Sequence, residues 1–247
     1  YIKMHLFQHY GEGEADFNTI GKKPVMFKIN GIKASDITGK KDTAELLDCS
    51  KIQHEYIPLN LGDYRFIVMN TKKQRRLADS KYNERRNQCE KGLEILRNAG
   101  YQLENLCSMK IDEFNQYGKV IEDPIIYKRV KHCATEIDRV EKTVEALKAD
   151  NLSLLGQLLY ESHKSLKDDY EVTGIELDTL VDAASHQKGC IGARMTGAGF
   201  GGCAIALVKK DSVSSFIENV QKEYTETVGY SAGFFSCESG DGVSEVN

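Results

Sequence analysis

Apolar residues fall along this chain in two rhythms, and the change from one to the other marks out most of its elements. Residues 64–71, "YRFIVMNT", form a compact, β-branched, apolar run that suits a buried strand. A charged helix is expected to follow over 79–98, ended by Gly100 just past its last turn. Between 125 and 147, Ile126, Val130, Cys133, Ile137, Val140, Val144 and Leu147 recur at steps of three and four, which is one apolar face of a long helix. Asp150 or Asn151 can cap a second helix carrying Leu152, Leu155, Leu158, Leu159 and Leu166. Thr173 can cap a third through Leu177, Leu180, Val181 and Ala184. These helices are expected to pack as a bundle. Further on, "CAIALV" at 203–208 reads as a strand and "SVSSFIENVQKEYTETV" at 212–228 as a helix with Val213, Phe216, Ile217, Val220 and Tyr224 on one side. "SAGFFSC" at 231–237 reads as a final strand. Strand, helix, strand predicts a sheet with helices on one face. The first 45 residues are harder to read, with short apolar runs at 25–29 and 44–47 that suit a meander.

Composition narrows the classes without changing that outline. A chain of 247 residues is long enough to bury a core without staples, and its formal charge of -4 argues against a duplex nucleic acid as partner. The seven cysteines are scattered, odd in number and free of any CxxC pair, so neither a zinc ribbon nor a disulfide framework is expected, and reduced thiols in a cytosol fit best. No run approaches the roughly 18 apolar residues of a membrane helix. "YIKMHLFQHYGEGE" at the start lacks the apolar core of a signal peptide, so the expectation is a soluble, cytoplasmic protein with no membrane partner.

The candidate chemistry gathers in three places. Gly197, Gly199 and Gly202 satisfy a G-x-G-x-x-G pattern, yet a dinucleotide fingerprint follows a strand and opens a helix, whereas here a strand follows. No G-x-x-x-x-G-K-[ST] occurs either. The glycines permit positive φ and close approach of backbone to a second object, which is either a ligand or another segment of a packed sheet. In "TKKQRRLADSKYNERR" at 71–86, basic residues bracket Tyr82. A solvated helix face is the plainer reading, and the sharper one puts the Tyr82 ring on a sugar with its hydroxyl free to hydrogen-bond. In "ESHKSLKDDYEVT" at 161–173, His163 reads as a packing or capping residue ahead of a ligand. Asp168 and Asp169, with no third ligand, read as cover for a helix end.

The stretches "DSKYNERRNQCE", "ESHKSLKDDYEVTGIELDTLV" and "GARMTGAGFGGCAIALV", in that order, resemble the galactokinase family. That family belongs to the superfamily of galacto-, homoserine, mevalonate and phosphomevalonate (GHMP) kinases. The likeness runs from about Gly39, through "LLDC" at 46–49, to near the C-terminus, and its wording is similar to enzymes of Gram-positive bacteria. It implies an α+β, GHMP-kinase C-terminal-like lobe with a helical layer packed on a mostly antiparallel sheet, residues 46–247 forming that domain and 1–45 a remnant of, or connection to, an N-terminal lobe. It also implies transfer of the γ-phosphoryl group of ATP, with Mg2+, to the C1 hydroxyl of α-D-galactose. Tyr82 would contact the sugar, and Gly197, Gly199, Gly201 and Gly202 would support the phosphate loop of the other lobe.

The sequence departs from the family at its head. Neither a "GEHxDY" sugar segment nor a "GLSSSA" phosphate loop is found, and "YGEGEADFN" at 10–18 is a poor substitute for the first. Where the family has "GIMDQF" with its base aspartate, this chain reads "NGIKASDITG", and Asp36 lies out of register. The catalytic base is therefore unassigned. A galactokinase C-terminal portion that is inactive alone, an intact sugar- and ATP-sensing relative without catalysis, and a divergent head all fit these residues.

Overall fold

The computed structural model describes residues 2–5, 28–29, 32–33, 40–48, 53–73 and 78–239. Two compact units divide the chain, one of residues 1–60 with 239–247 and one of residues 61–238. In the first, β1 (Ile2–His5), β4 (Thr43–Asp48) and β5 (Gln53–Pro58) form an antiparallel sheet in the order β1-β4-β5. There β2 (Lys28–Ile29) pairs with β3 (Ile32–Lys33). The expected apolar run at 44–47 is part of β4, whereas Asp36, Cys49 and the 10–18 segment lie outside the described residues.

The second unit is built on an antiparallel sheet of β6 (Tyr64–Asn70), β7 (Cys190–Thr196), β8 (Cys203–Lys209) and β9 (Gly233–Cys237), in the order β7-β8-β6-β9. β8 is central and its residues 204–208 are buried, which explains its uninterrupted apolar sequence. Against the sheet lie α4 (Leu152–Asp168), α5 (Ile175–Ser185) and α6 (Val213–Val228), their apolar faces closing one core with Met69, Ala193, Met195 and Ala206. A second core joins α1 (Ala78–Asn98), α2 (Ile111–Tyr117) and α3 (Pro124–Lys148) through Leu96, Met109, Phe114, Ile126 and Val130. The expected helical layer on an antiparallel sheet is what the chain forms.

Local chemistry sets the boundaries. Gly100 takes φ 91° and closes α1, with Tyr101 N–H donating to the Leu96 carbonyl at 3.0 Å. Asp123 caps α3 by accepting from the Ile125 and Ile126 amides, with Pro124 at the first helical position. Of the two expected caps for α4, Asn151 serves, its side chain accepting from Leu154 N–H at 3.0 Å. Thr173 does not cap α5. The cap position falls on Gly174 at φ 95°, and the Thr173 hydroxyl is turned to Asp178 instead.

Helix α4 crosses β7 at backbone distance. A Cβ on Gly156 would lie 2.0 Å from the Ile191 carbonyl oxygen, and one on Gly192 would lie 2.4 Å from the Gly156 Cα. No side chain fits at that crossing. About two turns further along α4, His163 is buried and its Nδ1 accepts from Met195 N–H at 3.2 Å. The acceptor role places the ring proton on Nε2, which faces Asp178 Oδ1 at 3.4 Å.

His132, on α3, is stacked on Tyr170 with ring centroids 4.4 Å apart and its Nδ1 lies 3.0 Å from Ser165 Oγ. Burial pushes its imidazole down to about 4. As pH falls from about 6.5 to about 4, the unfolded chain takes up a proton there that the folded chain refuses. Stability is therefore expected to fall through this window, by up to about 1.4 kcal/mol per pH unit. Urea denaturation at pH 7 and pH 5 measures it, and His132→Gln, which can still bond Ser165, should show a shallower dependence.

Candidate functional site

The glycine stretch forms the six-residue connection 197–202 between β7 and β8. Gly197, Gly199, Gly201 and Gly202 all hold positive φ (81°, 85°, 117° and 89°), and Phe200 between them holds 59°. Such a backbone is open to glycine and strained for other residues, which is why the sequence is glycine-rich here. The tip at Gly197 and Ala198 is exposed, while Gly199 and Gly201 are buried.

Two segments hold the loop. On one side Phe200 N–H donates to the Val172 carbonyl at 2.7 Å, and a Cβ on Gly199 would stand 2.2 Å from that same oxygen. On the other, Thr71 N–H donates to the Gly202 carbonyl at 2.8 Å, and Gly202 N–H returns a bond to Thr71 Oγ1 at 3.1 Å. Thr71 is fully buried, and its carbonyl accepts from the Tyr224 hydroxyl of α6 at 2.7 Å. Lys73, two residues on, lays its stem along Gly201 and pairs its Nζ with Glu176 Oε2 at 2.9 Å.

The segment 169–172 that supports the loop is itself held by two arginines. Arg85 of α1 donates from Nε to the Tyr170 carbonyl at 2.7 Å and from Nη2 to the Glu171 carbonyl at 3.0 Å. Arg129 of α3 is 1% exposed and reaches Gln88 Oε1 at 2.8 Å, the Asp169 carbonyl at 2.5 Å and Glu171 Oε2 at 2.7 Å. The Arg129 hydrogen bond is the main cause holding the Glu171 carboxyl below its usual range. Glu171 itself sits at φ 55°, a left-handed position for a residue other than glycine.

Tyr82 lies on α1, one turn before Arg85, with 48% of its surface exposed. Through Arg85 and the 170–172 segment, that end of α1 and the glycine loop share one support. The other candidates are packing residues in their contacts. His163 is bonded to β7, Asp169 accepts from Lys131 at 2.9 Å and from Ser165 at 3.3 Å, and Asp168 pairs with Lys164 one turn back. Among the described residues no group of three or more His, Cys, Asp or Glu could hold a metal ion. Glu176, the carboxylate beside the loop, is engaged by Lys73. The described residues beside the loop do not make a Mg2+ site of their own. Among the described residues no helix is long and apolar enough to cross a membrane.

Reading residue by residue missed Thr71, Lys73, Arg85 and Arg129. Thr71, Lys73 and Arg85 lie inside the basic stretch 71–86, and Arg85 also inside "DSKYNERR", whereas Arg129 carried no signal.

Residues 143–226, from the end of α3 through the glycine loop into α6, match the family model for the C-terminal region of GHMP kinases. The chain carries a GHMP kinase C-terminal domain. Its curated relatives include galactokinases of Clostridium perfringens strain SM101, 51% identical over 208 residues, and of Fusobacterium nucleatum, 47% identical over 208 residues. Each alignment covers 84% of this chain and 54% of the relative. The chain thus spans about half the length of the curated relatives it matches. A solved structure of Lactococcus lactis galactokinase complexed with galactose is 44% identical with a TM-score of 0.81, over 85% of this chain and 54% of that one. The L. major mevalonate kinase solved with R-mevalonate, 17% identical with a TM-score of 0.51, covers 81% of this chain and 49% of that one and shares the fold alone. The glycine loop lies inside the GHMP family match, while Tyr82 lies outside it.

Proposed function

We propose that this chain is the C-terminal portion of a cytoplasmic galactokinase that moves the γ-phosphoryl group of Mg-ATP to the C1 hydroxyl of α-D-galactose. The observation that carries the reading is the 44–51% identity to galactokinases maintained over more than four-fifths of the chain. Residues 46–247 correspond to the relatives' C-terminal lobe and 1–45 to a remnant of, or connection to, the other. Tyr82 offers a hydroxyl to the sugar from an exposed place on α1. Gly197, Gly199, Gly201 and Gly202 give a loop of little bulk against which the phosphate-binding loop of the N-terminal lobe closes. Catalysis of this kind is positioning plus electrostatic stabilisation, so the chain without a phosphate loop and base motif is inactive. The missing lobe is then its necessary partner, and ATP and galactose are its ligands.

Turnover of ATP with galactose by the full-length gene product tests the reading. Phosphorylated sugar is expected, and calorimetric binding of galactose without any turnover would instead identify a sugar-sensing relative. Tyr82→Phe in that protein should raise the KM for galactose by roughly 3- to 30-fold, the loss of one sugar hydrogen bond. The KM for ATP and the melting temperature should stay as they are, because the ring is half exposed. An unchanged galactose KM would remove Tyr82 from the sugar site.

A further inference from the structure

Lys73 is fixed along its whole length beside the glycine loop. Its backbone N–H donates to Thr71 Oγ1 at 3.2 Å, the hydroxyl that also accepts from Gly202. A Cβ on Gly201 would stand 3.0 Å from Lys73 Cδ, 3.1 Å from its Cβ and 3.4 Å from its Cγ, so the aliphatic stem occupies the space that Gly201 leaves empty. The ammonium lies 2.9 Å from Glu176 Oε2, and a Cβ on Gly174 would come within 3.9 Å of it.

The two partners are not equally buried. The Glu176 side chain is 12% exposed and that of Lys73 is 36% exposed, so the carboxylate forms the inner wall and the cation faces water. Glu176 stands in the first turn of α5, where the helix dipole favours a carboxylate whether or not a lysine is near. A bond serving only to clamp two segments would gain most by enclosing the cation. Here an inner carboxylate and a side-chain-free glycine hold a lysine in one place with its charge turned outward. A long side chain ordered in advance loses less freedom when an anion arrives.

We propose that Lys73 binds the phosphates of the nucleotide at the glycine loop, with Glu176 as the residue that positions it. This rests on the phosphoryl-transfer reading above. Lysine serves polyphosphate as a compact point charge, and the tip of the same loop is exposed at Gly197 and Ala198.

Equilibrium binding of Mg-ATP and steady-state kinetics of the full-length protein test this with Lys73→Met, Lys73→Arg and Glu176→Gln. Lys73→Met should weaken ATP by roughly 10- to 100-fold, the loss of one charge-assisted contact, with the galactose KM unchanged. Lys73→Arg should recover most of that affinity, which guards against a folding defect in the methionine variant. Glu176→Gln keeps a neutral acceptor for the ammonium and loosens its positioning only in part, so it should weaken ATP by no more than about 2- to 3-fold. A structural clamp predicts instead that both members of the pair weaken ATP alike. That result, or ATP binding indifferent to Lys73→Met, overturns the proposal. Should the unaltered protein bind no ATP at all, the phosphoryl-transfer reading fails with it, a signature distinct from either outcome in the variants.

Discussion

Gly199→Ala is expected to destabilise the 61–238 unit by roughly 3 kcal/mol or more, the sum of a left-handed backbone, a forced shift and a lost hydrogen bond. The methyl group would stand 2.2 Å from the Val172 carbonyl oxygen and 2.9 Å from the Val172 Cβ. Neither side can retreat freely. Val172 O is the acceptor for Phe200 N–H, and the far side of the loop is tied to Thr71 by two bonds. Gly197→Ala provides the comparison, since that position has a similar φ of 81° with no atom within 4 Å of an added Cβ. It should lose only the backbone term, about 1–2 kcal/mol. Urea midpoints for both variants, with unchanged m-values, measure the difference. Equal losses would mean that the contact with Val172 does not hold the loop.

Arg129→Met is expected to lower stability by roughly 2–4 kcal/mol, because three acceptors around a buried guanidinium lose a charged donor at once. Methionine fills the stem's volume, so the loss reports the polar head. Glu171 is 44% exposed at its side chain and keeps Lys128 at 3.3 Å, which limits the penalty on that carboxylate. Gln88 and the Asp169 carbonyl have less recourse to water. Arg129→Lys should recover less than half of the loss, since one ammonium cannot match a fork aimed at three acceptors. Thermal unfolding ranks the variants, and full recovery by lysine would reduce the role of Arg129 to its charge. Because the same arginine holds the 169–171 backbone next to Val172, Arg129→Met should also loosen the glycine loop, seen as faster exchange of the Phe200 amide.

What could be read in the chain depended on how far apart the partners lie. The long face of α3 repeats at steps of three and four over 25 residues, and its bounds fell within one residue of the expected ones. Helix α2, "IDEFNQY", is seven residues long and offers too few turns for a period to emerge. Thr173 has the chemistry of a cap, yet its hydroxyl has a better use at Asp178, and the choice between the two exists only once α5 is packed. The glycines announced an unusual backbone, but its anchors, Thr71 and Val172, come from elements far off in sequence. Arg129 was the hardest to foresee. A charge on an amphipathic helix suggests solvent, whereas α3 is covered on more than one side and takes this charge inside by satisfying it on three sides. The family resemblance filled part of that gap, because "DSKYNERR" and "ESHKSLKDDYEVT" are the stretches that meet at Arg85 and the 170–171 carbonyls.

The crossing of α4 over β7 has a mechanical corollary. At Gly156 and Gly192 main chain rests on main chain with no compliant material between, and His163 bolts the same helix to Met195, next to the end of that strand. Helix and strand thus have no play in which to slide past each other. Force arriving at the hairpin tip is passed undamped to a 17-residue rod, and any hinge this domain uses must be sought away from that joint.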